Sequence, residues 1–375
     1  MSSHLPLILS NRFEIQLTMK TVKFCFLMAV AVVLSASCSR DGMVTLDIAS
    51  GIAAKPDNTG IEVIAKDIRV VELKGEGLYD IRIFGESGGK LYGRTADNIL
   101  AVFSEDGRLL YSFDRKGRGP GEYIVPSFRF DGFRDEIIIY DFQNKVIRYD
   151  AKGNYIDEVR NDVTSSLADI VPLDDSSYVA TIMSHLRRDS SLLYLDRNLS
   201  VIGSALPIFN QAQTSQRGLI VAEPIYVFNS EVMFLPRAED TYYCYEEGVW
   251  RPFLKLEQGR YRMPADLSVS VGQYEEKGKY MDEMGSYMAG QYVFVCYAYR
   301  SDNAYFYDVY DIKTGKRLIH NRRTEEEVYD DGNDGWILNY DGMEYVVFPH
   351  YVKDNVICSS VFGEDGTTTL LRITL

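Results

Sequence analysis

Apolar and polar residues along most of this chain alternate in short runs, each ended by an Asp, Asn or Gly turn. That two-residue period belongs to half-buried strands; helices repeat every 3.6 residues. The runs recur as one unit, two β-rich stretches joined by a tight turn. Copies are Ile99–Phe113 around Gly107, Val146–Ile156 around Gly153 and Leu192–Ile202 around Asn198. Two more are Tyr242–Trp250 around Gly248 and Tyr305–Ile319 around Gly315. The turns are spaced by 46, 45, 50 and 67 residues, and a period of about 40–50 residues with several strands per unit is that of a propeller. Five clear units and an unclear sixth predict an all-β, six-bladed β-propeller over 60–375. The strand Thr368–Leu375 is expected to share a blade with strands near Ile61–Leu73, closing the ring and removing its open edge. A two-sheet sandwich, the alternative, does not require this spacing.

The long fourth interval holds an insertion at about 258–290. There Tyr280, Met284, Tyr287 and Met288 fall near one face of a predicted short helix. It reads either as a lid or ligand platform or as a cover for core at one end of the ring. Composition agrees with strands: 27 Tyr and 18 Phe stand against 2 Trp, with 29 Gly for turns. Hydrophobic residues at 46% and charged residues at 25% exclude disorder, collagen and coiled coil.

The N-terminus is an address. Lys20 and Lys23 precede an apolar run, Phe24–Leu34, followed by Ser35-Ala36-Ser37-Cys38. This is the layout of a secretory signal, and the run is too short to span a bilayer. Small residues ending in cysteine resemble the bacterial lipobox, with Ser35 where most carry Leu. Residues 1–37 are thus read as an upstream extension plus lipoprotein signal, with Met19 as the start, Cys38 as the lipidation site and 38–59 as a lipid-anchored linker. The alternative is an ordinary signal peptide with an incidental cysteine. The expected location is the cell envelope, at the outer membrane. The whole chain carries −14; without residues 1–37 it holds 37 basic and 53 acidic groups, or −16. Such a surface repels phosphate backbones, which excludes general nucleic-acid binding. Cys244, Cys296 and Cys358 lie in strand-like stretches without a CxxC or Cys/His cluster, so they read as buried small hydrophobes.

The most distinctive residues are Lys116-Gly117-Arg118-Gly119-Pro120-Gly121-Glu122-Tyr123. This stretch resembles the Gly-x-Gly-Pro-Gly-Glu-Tyr signature of six-bladed β-propeller lipoproteins of Gram-negative gut anaerobes, relatives of the NHL-repeat propellers. The likeness spans about Glu62–Leu375 and is strongest from Asn98 to Gly153. It implies fold and envelope location far more than activity. Physically the stretch reads as a crossover between blades, with Gly119 and Gly121 permitting positive φ and Pro120 stiffening the turn. It is not a phosphate loop: no Gly-Lys-Ser/Thr ending and no helix follows. Arg118 and Glu122 are expected to pair or to face the central channel.

Catalytic chemistry is thin. His185, His320 and His350 are dispersed, and no HExxH, Ser/His/Asp set or nucleophile elbow is present. NHL-type lyases use metal-binding histidines from different blades, an arrangement these three imitate only by number. Asp330, Asp334 and Asp341 have partial calcium-loop spacing, with Gly332 at the third position and Asp in place of the final Glu. A solvated acidic loop is the plainer reading, and no cofactor is expected. Tyr123, Tyr226, Tyr274, Tyr292, Tyr299 and Tyr345 offer flat amphipathic faces, though most tyrosines must fill the space between blades. The expected function is an envelope binding module for a glycan, peptide or partner protein at one end of the ring. The candidate residues are Arg118, Glu122, Tyr123, His185, Arg187, Tyr274, Arg300 and His350. The alternative is a hydrolase or lyase acting at the channel mouth.

Overall fold

The structure is a computed structural model that describes residues 43–375 except 142–143, 183–189, 208–224, 229–230, 237–238, 269–272 and 330–333. It is a six-bladed propeller. Blade 1 is the antiparallel sheet from Arg82–Ser87 to Leu109–Phe113, blade 2 runs from Pro126–Asp131 to Tyr155–Val159, and blade 3 from Leu167–Pro172 to Val201–Pro207. Blade 4 spans Ile225–Phe228 to Val249–Glu257 and blade 5 spans Asp282–Ala289 to Arg317–Arg323. The inner strands touch in chain order, and that of blade 6, Tyr351–Lys353, touches that of blade 1. Six apolar clusters fill the interfaces, each formed mainly by two adjacent blades. Ile83, Leu91, Phe103, Cys358 and Leu370 belong to the cluster between blades 1 and 6.

Blade 6 is built from both ends of the chain. Its strands Tyr351–Lys353, Val356–Phe362 and Thr368–Thr374 are completed by Asp67–Leu73, antiparallel in register from Asp67↔Thr374 to Leu73↔Thr368. This explains the unclear sixth unit. Gly107, Gly153, Gly248 and Gly315, each with φ between +68° and +85°, turn the third strand of a blade into its fourth. In blade 3 Leu199, one residue beyond the expected Asn198, takes the positive φ. In blade 6 that turn does not exist, because its fourth strand comes from the other end of the chain.

Within the stretch read as linker, Val44–Asp47 adds a parallel fifth strand to blade 4, and a short helix, Ala49–Ala53, follows. The chain then crosses the outside of blade 5, where the Asp57 N–H donates to the His320 carbonyl at 3.0 Å. Asn321 Nδ2 in turn donates to the Thr59 carbonyl at 3.0 Å. The insertion departs from its helical reading. Two four-residue helices, Ala265–Ser268 and Tyr274–Lys277, lead directly into the inner strand of blade 5, which carries Tyr287 and Met288. Pairing along the strand Tyr292–Tyr299 overrides the local i, i+4 spacing.

Gly107 and Gly248 share φ +85°, but a Cβ on Gly107 would stand 2.2 Å from the Glu72 carbonyl oxygen of the closing strand, whereas one on Gly248 meets nothing within 4 Å. Gly248→Ala is expected to cost only the backbone term, about 1–2 kcal/mol. Gly107→Ala adds displacement of the closing strand and should lower the urea midpoint clearly further.

Candidate functional site

The inner strands begin, and the second strands end, at one end of the ring. Arg82 opens the inner strand of blade 1 and lies directly opposite Arg94, the last residue of the second strand. The Arg82 guanidinium lies 5.6 Å from the Phe362 ring centroid of blade 6, and that of Arg94 lies 5.9 Å from the Phe128 centroid of blade 2. Arg94 also donates to Asn98 Oδ1 at 3.2 Å. Among the described residues neither guanidinium has a carboxylate within ion-pair distance. Burial, then the charge of Arg82, lowers the pKa of Arg94 below the ordinary arginine value. Like charges opposite one another on a strand pair are destabilising, so this arrangement is held against its own electrostatics.

His350 stands beside the pair. Burial first, then the charges of Arg82 and Arg94, depress its pKa from 6.5 to about 4, so the ring is neutral at pH 7. Nδ1 accepts the Ser360 N–H at 3.0 Å, which leaves the ring proton on Nε2 as a donor. The aromatic wall continues from His350 to Phe348 at 5.7 Å and on to Tyr287 at 5.4 Å.

Further round the ring the charges are neutralised. Asp169, on the inner strand of blade 3, accepts from Arg129 Nη2 at 2.6 Å and Nε at 3.2 Å, and from the Tyr140 hydroxyl at 3.2 Å. The N–H groups of Ile170 at 2.9 Å and Ile225 at 3.0 Å complete the set. One buried carboxylate therefore ties blades 2, 3 and 4 together. Burial works against the Arg129 charge, but Asp169 and Tyr140 outweigh it and hold its pKa above the ordinary value. Its side chain is still 36% exposed although it stands on an inner strand, so it opens onto the channel.

The glycine-rich signature is the crossover from blade 1 to blade 2, as its composition implies, and its contacts are structural. Gly121 has φ +71°, but Gly119 needs no positive φ. Instead the Gly119 N–H donates to Glu122 Oε2 at 2.8 Å, so Glu122 closes its own loop and does not pair with the exposed Arg118. Buried Lys145 donates to the Gly119 carbonyl at 3.1 Å, and the Tyr149 hydroxyl donates to that of Gly121. Tyr123 is fully buried. Its hydroxyl donates to the Asn98 carbonyl at 3.0 Å and its ring meets Phe128 edge-on at 5.7 Å. Both residues that hold the Arg94 guanidinium thus rest on Tyr123.

Of the other candidates, His185 and Arg187 lie outside the described residues. Tyr274 is 82% exposed on the insertion, and Arg300 turns to the Tyr305 hydroxyl at 3.1 Å in its own blade. Among the six candidates that lie in the described residues, only His350 contributes directly to the mouth. Asp330 lies outside the described residues, while Asp334 and Asp341 flank the strand Trp336–Tyr340 at opposite ends, roughly 20 Å of chain apart. They therefore do not form one calcium loop. His320 is buried on the outer strand of blade 5 with Nδ1 2.6 Å from Asp308 Oδ1, far in topology from His350. Glu231, Cys244 and Glu246 have metal-ligand spacing, but the thiol lies 3.8 Å from Glu231 Oε2, a hydrogen-bond contact within the group. A cleft of about 540 Å³ is lined by Pro56 and Asn58, by Arg322 and Arg323 of blade 5, and by Glu327 and Glu344, two cationic and two anionic side chains. Arg82 and Arg94 were missed because a sequence does not show which arginines lack partners.

Fold and mouth define an all-β propeller whose one end combines uncompensated cations with aromatic rings. The chain belongs to the DUF4934 family, a domain of unknown function matched over residues 44–365. A solved protein of Bacteroides fragilis, described as exported, is similar in fold: 16% identity, TM-score 0.59, covering 89% of this chain and 99% of that one. PorZ, a surface component of the type-IX secretion system of Porphyromonas gingivalis, matches more loosely, at 11% identity and TM-score 0.36 over 80% of this chain and 34% of its own. That distance is too great to bear on function. No curated protein shows significant sequence similarity.

Two outcomes follow from the mouth's electrostatics. Arg82→Gln relieves the like-charge pair and should raise stability by about 0.5 kcal/mol at low salt, an increment that shrinks as salt is added. His350 binds a proton below pH 6.5 in the unfolded chain but only near pH 4 in the folded one. Stability is therefore full above pH 6.5 and is lost as pH falls towards 4. His350→Gln should flatten that loss by about 2 kcal/mol, read from urea unfolding at pH 7 and pH 4.5.

Proposed function

We propose that this protein is an exported, lipid-anchored binding module of the cell envelope, and that its ligand, a glycan or a partner molecule, is held at the mouth formed by Arg82, Arg94 and His350. The observation that carries the reading is the pair of facing arginines, each laid on an aromatic ring and lacking a carboxylate among the described residues. Natural proteins keep such a destabilising arrangement where function requires it. The signal-like segment before Cys38 supports export, and the similar Bacteroides fragilis fold is that of a protein described as exported. The enzyme reading is weaker. Asp169 is engaged by five donor atoms, and the Nδ1 of His350 is taken by the Ser360 N–H, so neither group is free to accept a proton.

Two measurements test this. Cys38→Ala should move the protein from the membrane fraction to the soluble fraction of expressing cells and abolish palmitate labelling; unchanged fractionation refutes the anchor. In a thermal-shift panel of envelope glycans and peptides on residues 39–375, at least one ligand should raise the Tm of the wild type and leave an Arg82→Ala/Arg94→Ala double variant unshifted. An equal shift in both proteins removes the mouth from the reading.

A further inference from the structure

We infer that the mouth is selective for a carboxylated saccharide, whose carboxylate sits between Arg82 and Arg94 while the neutral His350 Nε2–H serves as a third donor. This rests on the binding-module reading and specifies its ligand.

Three features of the mouth lead there. The first is sign and geometry. Two guanidinium groups from directly opposite strand positions present rigid planar forks, and planar bidentate recognition of a carboxylate is what such forks do best. The rings of Phe362 and Phe128 fix the guanidinium planes without using their N–H groups. Arg94 spends one N–H on Asn98, which sets its orientation and leaves the rest of the fork available. The same ring supplies its own comparison. Arg129 has a carboxylate, Asp169, bound in this bidentate way at 2.6 and 3.2 Å. Arg82 and Arg94 have the donors of such a pair without the acceptor.

The second feature is the density of that charge. The chain carries −14 overall, so its net charge repels a polyanion. A ligand with isolated negative groups on an otherwise neutral body enters more readily. The third is the wall. Phe348 and Tyr287 continue from His350 as half-buried aromatic rings, and flat rings beside a charged clamp complement the apolar face of a pyranose. A neutral imidazole donor suits a carboxylate or hydroxyl oxygen.

The test is isothermal titration of residues 39–375 with four probes: a neutral xylo-oligosaccharide bearing a single glucuronic acid, its carboxyl-reduced counterpart, a sulfated disaccharide, and an acidic tripeptide with a free C-terminus. The glucuronate-bearing oligosaccharide should bind, and reduction of its carboxyl should weaken binding at least tenfold. Arg82→Gln and Arg94→Gln should each weaken it by 10- to 100-fold, and Arg82→Gln should do so with an unchanged or raised Tm, which separates lost recognition from lost folding. The fall in affinity between 50 and 300 mM salt should be shallower in either variant. Equal binding of the acid and its reduced form, abolished by the double Arg→Gln variant, overturns the carboxylate inference and leaves the binding module standing. Binding of the sulfated disaccharide or the peptide in place of the uronate overturns the carboxylated-saccharide assignment. Binding of the uronate that neither variant alters overturns the inference and the mouth together.

Discussion

Ring closure is the constraint on which the rest depends. The strand Asp67–Leu73 must find Thr368–Thr374, about 300 residues away along the chain, before the sixth blade exists. Closing a loop of that length costs about 5 kcal/mol in chain entropy. Seven registered residue pairs meet that cost, and Leu370, Leu371 and Ile373, all fully buried, each contribute about 2 kcal/mol on leaving water. The two sides are of the same size, so the seam is a place where modest changes register. The close approach of Gly107 to Glu72 belongs to it, since a turn in blade 1 leaves no room for a side chain against the closing strand.

The candidate site lies on that seam. Arg82 and Arg94 come from blade 1, Phe362 and His350 from blade 6, and they meet only because the ends of the chain pair. On the opposite side Asp169 gathers donors from blades 2, 3 and 4, which fixes the ring where it is continuous in sequence. The mouth thus has a neutralised half and an uncompensated half. In a chain with 54 acidic residues, a partner for Arg82 or Arg94 was easily supplied. The charge clash that adds to burial in lowering the pKa values of both Arg94 and His350 is retained on aromatic supports beside both guanidinium groups.

Much of the fold was legible because hairpin turns leave local marks: Gly107, Gly153, Gly248 and Gly315 occupy the same structural position in four blades. The sixth unit was obscure because its corresponding turn is replaced by the pairing of the chain's ends. The insertion misled for a related reason. Tyr287 and Met288 were read by helical spacing, whereas their neighbours are set by pairing with a strand beyond Gly290. The site was far less legible. The glycine-rich stretch is distinctive in sequence, yet Lys145, Tyr149 and Glu158 of blade 2 hold it as a crossover. Its Tyr123 acts one step removed, through Asn98 and Phe128, on Arg94. Nothing in Arg82 or Arg94 as residues distinguishes them from Arg129; only the presence or absence of a facing carboxylate does.

The acidic surface and the cationic mouth work on different length scales. At physiological salt the net charge is screened beyond about 8 Å, so a small ligand feels the surface only on close approach. Once a carboxylate reaches 4 Å from a guanidinium, the attraction is of order 4 kcal/mol at an effective dielectric of 20. For one isolated anionic group the near term wins. For a densely charged polymer each further group remains at the acidic surface and adds repulsion without reaching the two arginines. The mouth therefore discriminates by charge spacing as well as by sign, because its two arginines act at contact range against the net negative charge of the chain.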